Sequence, residues 1–224
     1  MSLILKISDL WKAYNGNTVF SGCSFLFEKS GIYILMGPNG SGKSTFLRIS
    51  ALLEDADRGE IIYLSGQKAV EKDIGLKRRI TLVLPKVGVF NTTVFKNMAF
   101  GLKIRGLKKK ELEDRVNVYL ESFGLIHKKN HNALTLSSGE AQRLGIARAM
   151  VTEPDILFLD EPTASVDQKN SEMIEEIILR MKNRGRPAVI MTTHDVAQAK
   201  RLADIMLVIR EGRILAQGDA SDDI

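Results

Sequence analysis

The segment Gly37-Pro38-Asn39-Gly40-Ser41-Gly42-Lys43-Ser44 fits the pattern GxxxxGK(S/T), and it constrains the fold more than any other stretch of the chain. Glycines let the backbone turn tightly and aim several N–H groups at phosphate oxygens. The lysine reaches the β- and γ-phosphates of a nucleotide, and the hydroxyl that follows coordinates Mg²⁺. A pattern this short also arises by chance, and a glycine-rich loop is often only a turn. It becomes specific when an apolar strand runs into it and a helix leaves it. Both are expected here, from the apolar run Ile32–Met36 and the helical propensity of Lys43–Leu53. The helix start adds the positive end of its dipole. Gly37, Pro38, Asn39, Gly40, Ser41, Gly42, Lys43, Ser44 and Thr45 are therefore expected to bind a nucleoside triphosphate, with Ser44 on Mg²⁺.

The rest of the chain supplies a core for such a loop. Ile80–Leu84, Ile156–Asp160, Ala188–Thr192 and Ile205–Ile209 are apolar runs that read as buried strands. Helices separate several of them. In Gln168–Arg184, Ile174, Ile177, Ile178 and Met181 share one face, and Gly185 reads as the C-terminal stop. This alternation predicts an α/β fold, a mostly parallel sheet with helices on both faces. The N-terminal region reads differently, as strands Ile4–Tyr14 and Val19–Phe27 joined by the turn Asn15-Gly16. Between Val94 and Ala149 no strand pattern appears. Lys109–Phe123 instead places Leu112, Val116, Leu120 and Phe123 at helical spacing, and Gly124 ends the run. The expected organisation is one domain over 1–224. Residues 1–84 and 150–224 form the core with a β subdomain, and about 85–149 form an inserted helical subdomain.

A second acidic element supports the nucleotide reading. The apolar strand Ile156–Leu159 ends in Asp160 and Glu161. Carboxylates at strand ends often serve only to solubilise loops. After a phosphate loop, Asp160 is expected to hold Mg²⁺ and Glu161 to polarise an attacking water.

Composition excludes several other classes. Hydrophobic residues make up 44% and charged residues 26% of 224, which suits a globular domain rather than a disordered chain. The longest apolar runs fall far short of the roughly 20 residues that span a bilayer, and the N-terminus lacks a signal-peptide pattern. A cytoplasmic protein is expected. The net charge of +5 suits a polyanionic ligand, nucleic acid or acidic lipid, and scattered lysines on solvated helices account for it as well. The single cysteine, Cys23, lies in an apolar stretch and reads as a small buried hydrophobe. His127, His131 and His194 show no metal-ligand spacing.

An ordered series of motifs resembles the nucleotide-binding subunit of ATP-binding cassette (ABC) transporters. Leu136-Ser137-Ser138-Gly139-Glu140, followed by Ala141-Gln142-Arg143, resembles the family signature LSGGQ-x-QR. Ala164-Ser165-Val166-Asp167 resembles the loop that communicates across the dimer, and Thr192-Thr193-His194-Asp195 the switch-histidine motif. The match covers essentially the whole chain. The resemblance implies a P-loop ATPase core with an N-terminal antiparallel β subdomain and the helical insertion. It implies ATP and Mg²⁺ as ligands, Glu161 as general base, Lys43 on the phosphates and His194 on the γ-phosphate. Tyr14 matches the aromatic that stacks on adenine; it otherwise reads as an ordinary strand residue, and Trp11 is the fallback. Ser138 reads as a helix cap, with Gly139 leaving backbone N–H groups exposed. In the family Ser137, Ser138, Gly139 and Glu140 face ATP bound by a second copy, and Ser165 and Asp167 lie at that interface. ATP then joins a head-to-tail pair.

Two departures stand out. Pro85 occupies the position of a family glutamine that bridges Mg²⁺, water and the helical subdomain, and proline offers neither a side-chain acceptor nor an N–H. Ser138 and Glu140 replace the commoner glycine and glutamine of the signature. The resemblance also implies membrane permease subunits, an external substrate-binding protein, no nucleic acid, and a place on the inner face of the cell membrane. The groove bordered by Pro85–Asn97 and Val94–Leu107, with Phe90, Val94 and Phe100, is the expected docking surface. Phe90–Gly106 resembles importer ATPases, most of all those for tungstate and related oxyanions. The basic run Arg105–Lys110 reads as a solvated loop. The chain ends soon after Ala216-Gln217-Gly218-Asp219, so no C-terminal regulatory domain is expected. The competing classes are a soluble cassette ATPase acting on DNA or ribosomes and a weakly hydrolysing regulatory module. The first usually carries a coiled-coil arm or fused cassettes, and Pro85 keeps the second open.

Overall fold

The computed structural model describes residues 3–164, 166–183 and 187–217. Strands β1 (Leu3–Tyr14) and β2 (Asn17–Phe27) form the expected hairpin. Asn15 and Gly16 turn it with φ of 49° and 84°, the left-handed pair that matches the twist of the flanking strands. Leu3, Leu5 and Ile7 point inward in alternation. A bulge at Asp9, φ 48°, then shifts the parity so that Leu10 is buried as well. The sequence analysis missed β4 (Arg58–Ser65), which pairs antiparallel with β1, and the short β5 (Lys68–Ala69).

The core sheet has the order β10-β9-β3-β8-β7-β6. Its strands are β3 (Ile32–Met36), β6 (Ile80–Val83), β7 (Ile156–Asp160), β8 (Ala188–Thr192), β9 (Ile205–Arg210) and β10 (Arg213–Gln217). All neighbours are parallel except β10 on β9. The period of two along each strand sorts side chains between two cores. Leu157 and Leu159 pack with one and Ile156 and Phe158 with the other, so β7 is buried throughout. The first core is covered by α3 (Val94–Ile104), α4 (Lys109–Ser122), α5 (Ser138–Met150), α6 (Gln168–Asn183) and α7 (Val196–Leu202). The second is shared by α1 (Lys43–Ser50), the four-residue α2 (Ile74–Lys77) and the antiparallel sheet. Cys23 lies within it, and burial pushes its thiol up to about 11.

The stretch expected to be helical is α3, α4 and α5 with two single 3₁₀ turns. α4 buries Leu112, Val116 and Leu120 as predicted. Gly124, φ 65°, closes it: its N–H donates to Glu121 O at 3.0 Å and that of Leu125 to Leu120 O at 2.7 Å. For α6, the expected stop at Gly185 lies outside the described residues, as do Gly218 and Asp219.

The Gly59 backbone packs against the bulge of the neighbouring strand β1. It sits in β4 with φ 91°, and a Cβ there would meet Asp9 O at 2.2 Å, where β1 bulges. Gly59→Ala is expected to destabilise the protein by about 2 kcal/mol or more, measured as a lowered denaturant midpoint with an unchanged slope.

Candidate functional site

The loop between β3 and α1 has glycines at φ 149° (Gly37), 81° (Gly40) and 97° (Gly42). Gly42 is the N-cap of α1 and supplies no side-chain bond, so the first-turn N–H groups remain for a ligand. A Cβ on Gly42 would meet Val19 Cγ1 at 2.4 Å and Phe20 Cζ at 2.9 Å, so only glycine lets the loop lie against β2. Lys43 is buried along its stem and donates to the carbonyls of Gly37 (2.8 Å) and Pro38 (3.1 Å), which holds its ammonium over the loop. Ser41 Oγ is buried without a hydrogen-bond partner. A loop with free donors, a cation and an orphaned hydroxyl fits a polyphosphate.

The acidic element lies on the adjacent strands. Asp160 is 3% exposed and pairs in register with Thr192 on β8. The Thr192 hydroxyl donates to Asp160 Oδ1 at 2.8 Å and accepts from the Glu161 N–H at 2.9 Å. Glu161 has a left-handed backbone, φ 45°, which this bond helps to hold. His194 Nδ1 lies 3.7 Å from Glu161 Oε2. Asp160 has no basic partner among the described residues, and a buried carboxylate with only a hydroxyl donor fits a hard cation such as Mg²⁺. Sequence reasoning passed over Thr192; its signal was the alignment of Ala188–Thr192 beside Ile156–Asp160.

Tyr14, Val19, Asn39, Gly40, Lys43, Ser44 and Glu161 line one cleft of about 420 Å³. Three segments distant in sequence, the β1–β2 hairpin, the phosphate loop and the end of β7, therefore meet there. Trp11 does not line it; its indole N–H donates to Asp9 Oδ1 at 3.0 Å.

The signature departs from expectation in two ways. Ser137, not Ser138, caps α5: its hydroxyl accepts from Glu140 N at 3.3 Å, and Glu140 Oε2 accepts from Ser137 N at 2.9 Å. Glu140 also pairs with Lys128 at 2.7 Å. Ser138 is exposed on the first turn, but Gly139 is buried, and a Cβ on it would meet Asn170 Cγ at 2.3 Å. Gly139 thus makes room for Asn170 rather than exposing backbone. Asn170 accepts from Arg143 and donates its Nδ2 to Asp167 Oδ2 at 2.8 Å. Asp167 also accepts from the Asn170 N–H at 2.9 Å, and these bonds hold its carboxyl below the usual range. Ser165 lies outside the described residues. None of Ser137, Ser138, Gly139 and Glu140 lines the cleft.

Pro85 follows β6 and is half-buried. Beyond it, Leu84, Lys86, Val87, Phe90, Phe100 and Arg148 help to line a groove of about 390 Å³. Phe90 and Phe100 pack in a tilted arrangement with centroids 4.9 Å apart, and the Arg148 guanidinium lies over Phe90 at 5.5 Å. Val94, expected in the groove, is fully buried core. The basic run is not wholly solvated, since Arg105 donates to Gly101 O (3.3 Å) and Arg78 O (3.0 Å).

The chain is similar to known proteins of one family. Residues 20–164 match the family described as ABC transporter. The tungstate uptake system ATP-binding protein TupC of Peptoclostridium acidaminophilum is 37% identical over 210 residues, covering 94% of this chain and 96% of that protein. The phosphate import ATP-binding protein PstB 2 of Natronomonas pharaonis is 33% identical over 227 residues, covering 96% and 79%. The structure of cbiO1 from Clostridium perfringens, part of the ABC transporter complex cbiONQ, superposes with a TM-score of 0.86 at 28% identity, covering 98% and 90%.

If Asp160 holds the metal, its hydroxyl donor matters. Thr192→Val is expected to raise the Mg²⁺ concentration needed for half-maximal ATP binding about tenfold, the scale of a hydrogen bond to a charged group. Thr192→Ser should restore it. Titration of Mg²⁺ into the protein with fluorescent ATP checks both.

Proposed function

The chain belongs to the ABC transporter family, and from that premise we propose that it is the ATP-hydrolysing motor of an importer, working as a pair closed around two Mg²⁺–ATP. As an ABC ATPase it binds ATP with Mg²⁺. The reading of its site rests above all on one observation. Tyr14, the phosphate loop and Glu161 line a single cleft, with Asp160 and His194 beside Glu161.

The roles follow from position. Tyr14 offers a ring to the adenine, and the loop N–H groups with Lys43 grip the phosphates. Ser44 and Asp160 would hold Mg²⁺, whose charge offsets that of the transferring phosphoryl group. Glu161 takes a proton from the attacking water, with its backbone fixed by Thr192. His194, beside that carboxylate, meets the γ-phosphate. Pro85 contributes no side-chain acceptor to the metal shell. Ser138, on the exposed first turn of α5, serves the ATP of the second copy, since no part of the signature lines the cleft of its own chain. Asp167 and Ser165 meet the same partner.

The groove beside Pro85 suits a membrane permease. Phe90 and Phe100 are each about half exposed, an apolar patch that invites a partner's helix. No helix among the described residues is long and apolar enough to cross a membrane, so the path for cargo belongs to that partner, on whose inner face this subunit sits. An external binding protein would deliver the cargo. The named relatives for tungstate and phosphate support an oxyanion as that cargo.

Glu161→Gln is expected to accumulate an ATP-bound dimer, detected by light scattering on a sizing column. A variant that stays monomeric at saturating ATP would refute the paired mechanism. Purification from detergent-solubilised membranes of the source cell is expected to recover a multi-span protein, and Phe100→Ser to lose it. Recovery of ribosomes or DNA instead would overturn the transporter reading.

A further inference from the structure

Tyr14 does not stand alone at the base end of the cleft. Its hydroxyl donates to Glu54 Oε1. The other oxygen of that carboxylate, Oε2, accepts from Arg48 Nε at 2.9 Å. Arg48 Nη2 in turn donates to Thr45 Oγ1 at 3.1 Å, on the residue that ends the phosphate loop. Lys12 completes the cluster. Its ammonium lies 5.2 Å from the Tyr14 ring centroid and 3.4 Å from Glu54 Oε1. It is anchored by Asp55 O at 2.8 Å and Asp57 Oδ1 at 3.3 Å. Asp57 also accepts from the Ala13 N–H at 2.7 Å, which fixes the backbone just before Tyr14. Burial opposes ionisation of Glu54, but hydrogen bonds from Tyr14, Arg48 and Lys12 outweigh it and hold the carboxyl below its usual range.

This arrangement solves a particular problem. Tyr14 is at the end of a strand, next to a two-residue turn, and is 39% exposed. An untethered ring there would sample several rotamers, and ordering it on binding would weaken affinity by about two- to tenfold. With the Lys12 ammonium over one face, the opposite face is the one left for a base.

We propose that Glu54 is a positioning residue for the nucleotide. It holds the Tyr14 ring on one side and, through Arg48, the end of the phosphate loop on the other, so that base and phosphates are gripped in a fixed register. The proposal rests on reading Tyr14 as the base-stacking residue. None of Lys12, Arg48 and Glu54 belongs to a motif, and loss of the register they set falls on ligands that carry both a base and phosphates.

That restriction makes the test specific. Calorimetric dissociation constants of Mg²⁺–ATP and Mg²⁺–tripolyphosphate, which lacks a base, are compared for wild type, Glu54→Ala and Tyr14→Phe. Phenylalanine keeps the ring and loses only the tether. Both variants are expected to bind ATP about fivefold more weakly, and tripolyphosphate within about twofold of wild type. Equal weakening for both ligands would make Glu54 a support of the fold and overturn the proposal. Wild-type ATP affinity in Tyr14→Phe would overturn it too, even if Glu54→Ala failed to fold. If wild type itself showed no preference for ATP over tripolyphosphate, the stacking role of Tyr14 would fail, and the proposal with it.

Discussion

The hydrogen-bonded register of three parallel strands, β3, β8 and β7, is the constraint on which the site depends. Leu35 pairs with Thr192 and Asp160 pairs with the same residue from the other side. Because the strands are parallel, all three chains leave the sheet at one edge, the usual place for ligands in open α/β sheets. The phosphate loop leaves β3, Asp160 and Glu161 end β7, and His194 follows β8. A shift of one residue in either ladder would turn Asp160 or Thr192 into the opposite core and break the hydroxyl bond between them. The continuous burial of β7 therefore aligns Asp160 and Glu161 as well as stabilising the sheet.

The second constraint is that the base end of the cleft comes from a different sheet. Tyr14 ends β1, and Val19 lies on β2. The two sheets share a core in which Phe20 and Phe27 meet Phe46 of α1 at centroid distances of 6.0 and 6.1 Å. Gly42 packs against Val19 and Phe20 at the same seam. The helix that starts at the glycine-rich loop is thus clamped to the hairpin that carries Tyr14. Packing sets the distance between the two halves of the cleft, and the polar cluster around Glu54 sets the orientation of the ring.

Legibility in the sequence followed the range of the interactions involved. β3, β7 and β8 were read at their observed bounds because buried parallel strands are unbroken apolar runs. The phosphate loop and Asp160-Glu161 were legible because their chemistry is local. β4 was not, since Arg58-Gly59-Glu60 opens it and its partner β1 lies some fifty positions earlier. α3 was missed because Phe95, Phe100 and Gly101 blur its apolar stripe, and Val94, its first residue, was put in the groove instead of the core. The cap of α5 was read one residue late: consecutive serines are equivalent until Glu140 closes the box with Ser137. Thr192 and Glu54 act on residues 31 to 40 positions away; the switch-histidine motif contains Thr192 without marking its bonds to β7 and Glu161, and no short motif contains Glu54.

Pro85 poses a mechanical question that the α5–α6 contact helps to answer. A glutamine at that position would tie the metal site to the helices around α5; proline has no polar side-chain group and no N–H with which to do so. Helices α3–α5 are nonetheless fastened to the rest of the core elsewhere, through Arg105 and Arg143 among other ties. Arg105, just past α3, donates to Arg78 O beside β6. Arg143, in the middle of α5, donates to Phe123 O at 3.2 Å and to Asn170 at the start of α6. Asn170 is bound in turn to Asp167 and seated against Gly139. Helix α5, the end of α4 and the loop after β7 are therefore joined by hydrogen bonds through one guanidinium and one amide. A displacement of α5 must carry the Asp167 loop with it or break those bonds, so movement has a route between the catalytic edge and the groove that bypasses Pro85.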